Sequence, residues 1–131
     1  MSKKQASPRP RVLLVEDATD IREVFQMLLE SEGADVVATG SGREATRLAE
    51  REDFDVLLTD LGLPDISGEM VISHTLRNAR RRPRVVVVTG YDEPFTSQAR
   101  AAGADVVLTK PVLWSSLVEE LSLNHDGHIA A

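Results

Sequence analysis

Five short apolar runs, each followed by a stretch with helical periodicity, restrict this chain to one kind of architecture. The runs are rich in valine and leucine, and they lie at residues 11–17, 34–40, 54–60, 84–90 and 104–110. Helices are predicted after them at residues 19–33, 41–52, 68–81, 94–103 and 113–121. Regular alternation of strands and helices predicts a parallel sheet covered by helices on both faces. The continuous apolar character of the strands fits burial on both faces.

The length and composition favour one domain with a substantial core. The chain has 131 residues, of which 42% are hydrophobic, and it contains no cysteine, which excludes disulfides and thiol catalysis. We predict a flexible N-terminal arm over residues 1–10, a domain over 11–123 and a C-terminal tail over 124–131.

The net charge of −6 argues against nonspecific binding to nucleic acid or to an anionic membrane. No apolar run approaches the roughly 18–20 residues that span a bilayer. We therefore expect a cytoplasmic protein without a nucleic-acid or membrane partner. An arginine cluster is interpreted as the solvated end of the third helix, favoured there by the helix dipole. The cluster consists of Arg77, Arg80, Arg81, Arg82 and Arg84.

Polar residues collect where the apolar runs end. Glu16 and Asp17 lie at the end of the first run, and Asp60 lies at the end of the third. Thr89 lies near the end of the fourth run, and Lys110 lies at the end of the fifth. In a parallel sheet of this kind, ligands bind beyond the carboxyl ends of the strands. The sequence therefore predicts that these five side chains share one site.

The charges of these residues indicate the chemistry of the site. Three converging carboxylates repel one another, and a hard divalent cation such as Mg²⁺ relieves that repulsion. With Lys110 added, the site has nearly no net charge and can admit a phosphoryl group. Asp60 is then a candidate nucleophile that forms an acyl phosphate. Lys110 and the Thr89 hydroxyl are candidates to stabilise the phosphoryl oxygens.

These residues, together with several short motifs, resemble the receiver domain of two-component response regulators. The motifs are Glu16-Asp17, "DLGLPDISG" at 60–68, "TGY" at 89–91, "AGAD" at 102–105 and Lys110-Pro111. The resemblance spans roughly residues 10–123. It implies a flavodoxin-like (βα)5 three-layer sandwich with a five-stranded parallel sheet in the order 2-1-3-4-5.

The resemblance also implies roles for individual residues. Asp60 matches the phosphoacceptor, which takes its phosphoryl group from a phosphohistidine on a histidine kinase or a histidine phosphotransfer protein. Asp17, Asp60 and the backbone carbonyl of Gly62 match the Mg²⁺ ligands, and Glu16 acts through water. The Lys110–Pro111 peptide bond is expected to be cis.

One position departs from the family pattern. Val107 occupies the place three residues before the lysine where an aromatic switch residue is common. Because valine has no ring to swing, we expect switching to rely on Thr89 and the loop at 90–94. A downstream protein target is expected at the face formed by the fourth helix, fifth strand and fifth helix. Phe95 and Trp114 are interpreted either as core residues, which is slightly favoured, or as part of a partner surface on the fourth and fifth helices.

Three functions remain open on the sequence alone. The first is a phosphorylation-activated receiver, either stand-alone or part of a hybrid kinase or longer regulator. Such a domain is not a metabolic enzyme, because it catalyses only its own phosphorylation and dephosphorylation. The alternatives are a small Mg²⁺-dependent phosphatase that uses the same carboxylates, and a degenerate receiver that only binds other proteins.

Overall fold

The structure is a computed structural model that describes residues 9–121. The strands are β1 (Arg11–Val15), β2 (Asp35–Thr39), β3 (Val56–Thr59), β4 (Arg84–Thr89) and β5 (Val106–Thr109). The helices are α1 (Thr19–Ser31), α2 (Gly42–Arg51), α3 (Gly68–Asn78), α4 (Phe95–Ala102) and α5 (Trp114–Glu120). Among these ten elements, no helix has the length and apolar character needed to cross a membrane.

The chain ends lie mostly outside the described residues. The predicted tail over 124–131 and residues 1–8 of the predicted arm cannot be compared with the structure. Arg9 and Pro10 are described and contact the domain. The Arg9 side chain donates hydrogen bonds to the carbonyls of Gly33 and Ala34, and the Pro10 carbonyl accepts one from the Asp35 N–H.

The five strands form one parallel sheet in the order 2-1-3-4-5, which confirms the predicted flavodoxin-like fold. The strand order reverses between β1 and β3, which pair directly with Leu13 opposite Leu57. In open α/β sheets this reversal leaves a crevice beyond the carboxyl ends of the strands. The fold therefore places the residues that follow β1 and β3 at its natural binding site.

Alternating side chains of the strands fill two cores, one on each face of the sheet. Leu14, Leu58 and Val86 face the layer that contains Leu29 of α1 and Leu117 of α5. The opposite core contains Leu13, Val15, Leu57, Val85 and Val87 with Ala45, Val71, Ile72 and Ala99 from α2, α3 and α4. Burial on both faces explains why the strands are continuously apolar.

The apolar stripe of α1 is less buried than its spacing predicts. Only Leu29 is fully buried in this helix, whereas Ile21 and Val24 are 39% and 51% exposed. Phe25 packs against Trp114 with ring centroids 6.2 Å apart, so the covered side of α1 is the one that faces α5. The remainder of the stripe has no neighbouring element among the described residues to bury it.

The arginine cluster is solvated, as the sequence suggested, since Arg80, Arg81 and Arg82 are all more than half exposed, but four of its five members lie beyond the end of α3. Helix α3 ends at Asn78, and the arginines beyond it form ion pairs with acids near the amino ends of the strands. The pairs are Arg80–Asp53 at 3.1 Å, Arg81–Asp55 at 2.8 Å, Arg82–Asp105 at 2.9 Å and Arg84–Glu120 at 3.4 Å. Helical periodicity missed them because each partner lies more than 20 residues away in the chain.

Two of these acids also bind the backbone of neighbouring strands. An Asp55 carboxylate oxygen accepts a hydrogen bond from the Arg11 N–H at 2.7 Å. An Asp105 carboxylate oxygen accepts a hydrogen bond from the Val85 N–H at 2.7 Å. Each aspartate stands just before its own strand, so it joins that strand to the next one at the amino edge of the sheet.

Candidate functional site

The carboxyl ends of β1, β3 and β5 bring Glu16, Asp60 and Lys110 together. The Lys110 Nζ donates to Asp60 Oδ2 at 2.9 Å and to Glu16 Oε1 at 3.4 Å. The Asp60 and Glu16 side chains are only 13% and 5% exposed. Two nearly buried carboxylates therefore share one lysine, as the positions of the three residues in the sequence predicted.

The backbone around Asp60 holds its carboxylate in place. The Asp60 N–H donates to the Val15 carbonyl of β1 at 3.1 Å, which continues the sheet pairing one residue beyond β3. Asp60 Oδ1 accepts from the Leu61 N–H at 2.6 Å and from the Gly62 N–H at 3.5 Å. One carboxylate oxygen thus binds the following loop, while the other binds Lys110.

The start of α3 packs directly against the Asp60 backbone, and this contact requires glycine at position 68. A Cβ on Gly68 would lie 2.1 Å from the Asp60 carbonyl oxygen and 2.7 Å from the Leu61 Cα. The Gly68 N–H also donates to the Leu61 carbonyl at 2.9 Å. Ser67 caps α3 by accepting the Met70 N–H. The segment from Asp60 to Gly68 is therefore a closed loop that begins and ends at the candidate nucleophile.

The charges of the site keep Lys110 protonated. Burial lowers the pKa of the Lys110 ammonium, but the hydrogen bond and charge of Asp60, together with Glu16, outweigh that effect. The pKa of Lys110 therefore lies above its ordinary value of 10.5. A permanently charged lysine suits the stabilisation of phosphoryl oxygens at neutral pH.

Thr89 lies fully buried at the end of β4 and connects to Lys110 through the backbone. The Lys110 N–H donates to the Thr89 carbonyl at 2.8 Å, and the Thr89 hydroxyl oxygen accepts the Tyr91 N–H at 3.1 Å. The Lys110–Pro111 bond is cis, as expected, and so is Glu93–Pro94. The structure thus places Thr89 on the strand next to β3, which precedes Asp60, without a hydrogen bond between the Thr89 and Asp60 side chains.

Tyr91 and Phe95 form an aromatic pair beside the site. A Cβ on Gly62 would lie 2.5 Å from the Tyr91 hydroxyl, so the tyrosine ring reaches over the loop that follows Asp60. The Tyr91 and Phe95 ring centroids are 5.1 Å apart. Phe95 is 44% exposed, so its interpretation as a core residue is wrong. Trp114 is half-buried and packs against the core under α1 and α5.

Val107 on β5 packs at the margin of the core formed with α2, α3 and α4, opposite Val87 of β4. It is only partly buried. The position where a switch aromatic is common therefore contributes a small side chain to packing. The expectation that switching relies on Thr89 and the loop at 90–94 stays a prediction.

The structure does not bring the Asp17 carboxylate into the cluster. Asp17 is exposed, and within residues 9–121 its carboxylate makes no hydrogen bond or ion pair. In the same range, no three His, Cys, Asp or Glu side chains are arranged to hold a metal ion. Mg²⁺ requires fewer protein ligands, because it keeps several waters and binds through one or two carboxylates.

The donor chemistry of the site nevertheless fits Mg²⁺. Glu16, Asp17 and Asp60 carry three negative charges, and Lys110 balances one of them. All the available donors are carboxylate or carbonyl oxygens, including the carbonyl of Gly62 beside Asp60. Oxygen donors and an excess of negative charge suit a hard divalent cation.

Asp65 is a structural residue of the site that the sequence reasoning missed. Its carboxylate accepts hydrogen bonds from the Ser41 hydroxyl and from the N–H groups of Gly42, Arg43 and Ile66. It therefore joins the loop after Asp60 to the start of α2. Ser41 is the N-cap of α2, since its side chain accepts the Glu44 N–H. The Leu-Pro-Asp sequence carries no local signal for a partner more than 20 residues away.

We expect Asp65→Asn to destabilise the fold at neutral pH but not in strong acid. Bonds from the Arg43 N–H and the Ser41 hydroxyl, with those of Gly42 and Ile66, hold the pKa of Asp65 far below its ordinary value of 3.8. A depressed folded-state pKa gives stability that is present above pH 3.8 and is lost as the pH falls towards the folded-state pKa. Thermal unfolding midpoints from pH 7 downwards should show the gap between the two proteins closing.

Asp92→Asn is the matched control, since within the described residues the Asp92 carboxylate makes no hydrogen bond or ion pair. Its unfolding midpoint should follow that of the unaltered protein at every pH. A gap for Asp65→Asn that stays constant down to strong acid would contradict the role of the charged carboxylate.

Comparison with known proteins agrees with this geometry. The response regulator receiver domain family matches residues 12–122. The cell cycle transcriptional regulator CtrA of Caulobacter vibrioides is 39% identical over 102 residues, which are 77% of this chain and 44% of that protein. The chain spans about half the length of the curated relatives it matches.

Solved structures show the same fold. A CheY-like receiver domain from Methanospirillum hungatei superposes with a TM-score of 0.83 at 30% identity, covering 88% of this chain and 92% of that one. The receiver domain of the sensor histidine kinase PA1611 from Pseudomonas aeruginosa gives a TM-score of 0.79 at 28% identity, covering 88% and 96%. That structure holds a magnesium ion coordinated in its active-site cleft. The chain described here belongs to the response regulator receiver domain family.

Proposed function

We propose that this chain is a phosphorylation-activated receiver that accepts a phosphoryl group from a phosphohistidine onto Asp60, in a reaction that requires Mg²⁺. The observation that carries the proposal is the contact of 2.9 Å between Asp60 Oδ2 and Lys110 Nζ. It places a fixed carboxylate and a charged lysine at the crevice where ligands of this fold bind. Membership of the receiver family supports the same function.

The transfer is a substitution at phosphorus. An Asp60 carboxylate oxygen forms the new O–P bond while the N–P bond of the phosphohistidine breaks. The electron pair of that bond returns to the imidazole nitrogen. As the phosphoryl group arrives, Lys110 is close enough to move its hydrogen bond from the carboxylate to a phosphoryl oxygen. The buried Thr89 hydroxyl on the adjacent strand is a second donor.

Asp17, Asp60 and the Gly62 carbonyl would hold Mg²⁺, with Glu16 acting through water. When bound, the ion supplies charge neutralisation at the phosphoryl oxygens. Glu16 already accepts hydrogen bonds from Lys110 and from the Ala18 N–H, so it also fixes the loop that follows β1. The magnesium ion in the active-site cleft of the Pseudomonas receiver domain supports an Mg²⁺ site in this cleft.

We propose a histidine kinase or a histidine phosphotransfer protein as the phosphoryl donor, and a downstream protein target at the face formed by α4, β5 and α5. Such a domain is not a metabolic enzyme. The chain matches only part of the length of the longer relatives, so their regulatory outputs are not part of this proposal. The expected cytoplasmic location stays a prediction.

The small-phosphatase alternative gains no support from the site. Phosphatases that use an aspartate nucleophile usually carry a second acid two residues after it, and Gly62 occupies that place. The Tyr91 hydroxyl lies next to Gly62, so that place holds no carboxyl group.

The function is tested by intact-protein mass after incubation with acetyl phosphate and Mg²⁺. We expect a single phosphoryl adduct on the unaltered protein, and none on Asp60→Asn or without Mg²⁺. Asp20→Asn is the matched control, because it removes an exposed carboxylate from the start of α1 and should still form the adduct. Hydroxylamine should remove the adduct, because it cleaves acyl phosphates.

Two results would contradict the proposal. An adduct that persists in Asp60→Asn would assign the phosphoryl group to another residue. Release of many equivalents of inorganic phosphate per protein from unrelated small phosphate esters would favour the phosphatase. If the protein forms neither the adduct nor a beryllium fluoride complex, the remaining alternative is a degenerate receiver that only binds other proteins.

A further inference from the structure

Arg22 holds the segment that carries the acidic pair. It lies in α1 and is half-buried. Its Nη1 donates to the Glu16 carbonyl oxygen at 2.8 Å and to the Asp17 carbonyl oxygen at 3.4 Å. Its backbone N–H donates to the Ala18 carbonyl at 2.9 Å. The three successive carbonyl groups that connect β1 to α1 therefore all bind this one residue.

The end of β2 provides the space for the Arg22 guanidinium. A Cβ on Gly40 would lie 2.8 Å from Arg22 Nη1 and 3.5 Å from the Asp17 Cα. The preceding residue, Thr39, accepts the Glu16 N–H at 3.0 Å. The guanidinium is thus enclosed between the loop after β1 and the end of β2. Strand β2 therefore forms one side of the site although it contributes no acidic residue.

The hydrogen bonds of Arg22 leave the acidic side chains available. They go to main-chain carbonyls, and within the described part of the chain no contact joins the guanidinium to the Asp17 carboxylate. A positive charge close to the loop also reduces the repulsion between the Glu16 and Asp17 carboxylates. Groups that orient metal ligands in this way commonly change metal affinity by about 10–100-fold when they are removed.

We propose that Arg22 is a positioning residue that fixes the Glu16–Asp17 backbone so that the Asp17 carboxylate is available to bind Mg²⁺. The inference rests on the proposed function, because it presumes an Mg²⁺ site at Asp17 and Asp60. Gly40 contributes to the same arrangement, because any larger residue at this position would displace the Arg22 guanidinium.

Mg²⁺ titrations followed by calorimetry and by the amide resonance of Gly62 test this role without any phosphorylation step. We expect Arg22→Ala to raise the Mg²⁺ dissociation constant by about 10-fold or more. Arg22→Lys keeps a donor and a charge, so its loss should be smaller. Arg47→Ala is the matched control, because Arg47 is an exposed helical arginine on α2 with no ion pair within residues 9–121. It should bind Mg²⁺ normally.

Gly40→Ala approaches the same guanidinium from the other side. By itself it tests the role if Arg22→Ala folds poorly, and the double variant is measured if Arg22→Ala folds. It should weaken Mg²⁺ binding in the unaltered protein and have no further effect when combined with Arg22→Ala, because the group it displaces is then absent. Full additivity of the two substitutions would overturn the positioning role. If Gly40→Ala only damages the fold, it should lower the unfolding midpoint and weaken Mg²⁺ binding by the same factor whether or not Arg22 is present.

These measurements distinguish the positioning role of Arg22 from the Mg²⁺ site of the proposed function. Normal Mg²⁺ affinity in Arg22→Ala, with binding abolished in Asp17→Asn, would overturn the inference and leave the metal site intact. Failure of the unaltered protein to bind Mg²⁺ at all would overturn both.

Discussion

Replacing Lys110 with methionine is expected to slow phosphorylation of Asp60 by about 10²–10³-fold, which is the usual effect of removing one fixed donor to developing charge. Methionine keeps most of the length of the side chain but removes the ammonium group that lies 2.9 Å from Asp60 and 3.4 Å from Glu16. The rate of adduct formation with acetyl phosphate and Mg²⁺, followed by intact mass, measures the effect.

Arg47→Met is the control for the Lys110 variant, since it removes one positive charge from an exposed helix and should phosphorylate at the normal rate. Thermal unfolding must accompany the rates, because two nearly buried carboxylates remain without their lysine. A folded Lys110→Met protein that phosphorylates within a few-fold of the normal rate would remove Lys110 from the mechanism.

Gly68→Ala is expected to lower the free energy of unfolding by about 3 kcal/mol, at the upper end of the usual cost of overpacking. The added methyl group would lie 2.1 Å from the Asp60 carbonyl oxygen and 2.7 Å from the Leu61 Cα. Both of these atoms belong to the backbone, so no side-chain rotation relieves the contact. Either α3 or the loop that carries Asp60 must move.

Gly90→Ala is a well-matched control for this substitution. Gly90 follows directly after β4 at the same edge of the sheet, but a Cβ there meets nothing within 4 Å. Its free energy of unfolding in urea should change by no more than about 0.5 kcal/mol, as is usual for surface substitutions. Equal effects of the two substitutions would show that the packing at Gly68 is not what destabilises the protein.

Much of the fold and the centre of the site follow from local sequence patterns. Val/Leu runs of strand length and helical spacing define the ten elements, and Gly33 and Gly103 mark helix ends with φ of 97° and 122°. Parallel strands also present their carboxyl ends at one edge. The convergence of Glu16, Asp60 and Lys110 therefore required only the positions of the strand ends.

The missed features depend on contacts between distant parts of the chain. Asp65 looks like an ordinary turn residue until α2 is placed beside it. The arginines after α3 look like a solvated helix end until the aspartates before β3 and β5 are brought next to them. Arg22 is one helical arginine among several until the loop after β1 and Gly40 are placed beside it. Local periodicity contains no information on such pairings.

The two edges of the sheet are held together by different means. At the amino edge, Asp55 and Asp105 bind the backbone of neighbouring strands as well as Arg81 and Arg82. At the carboxyl edge, backbone hydrogen bonds from Glu16, Asp60 and Lys110 continue the pairing, but the side chains there are one lysine and two acids whose charges repel. Local opening of the sheet should therefore begin at the carboxyl edge, and amide hydrogen exchange there should be faster than at the amino edge. If the carboxyl edge opens first, a chemical change at Asp60 would act on the weaker edge while the opposite edge keeps the strand register.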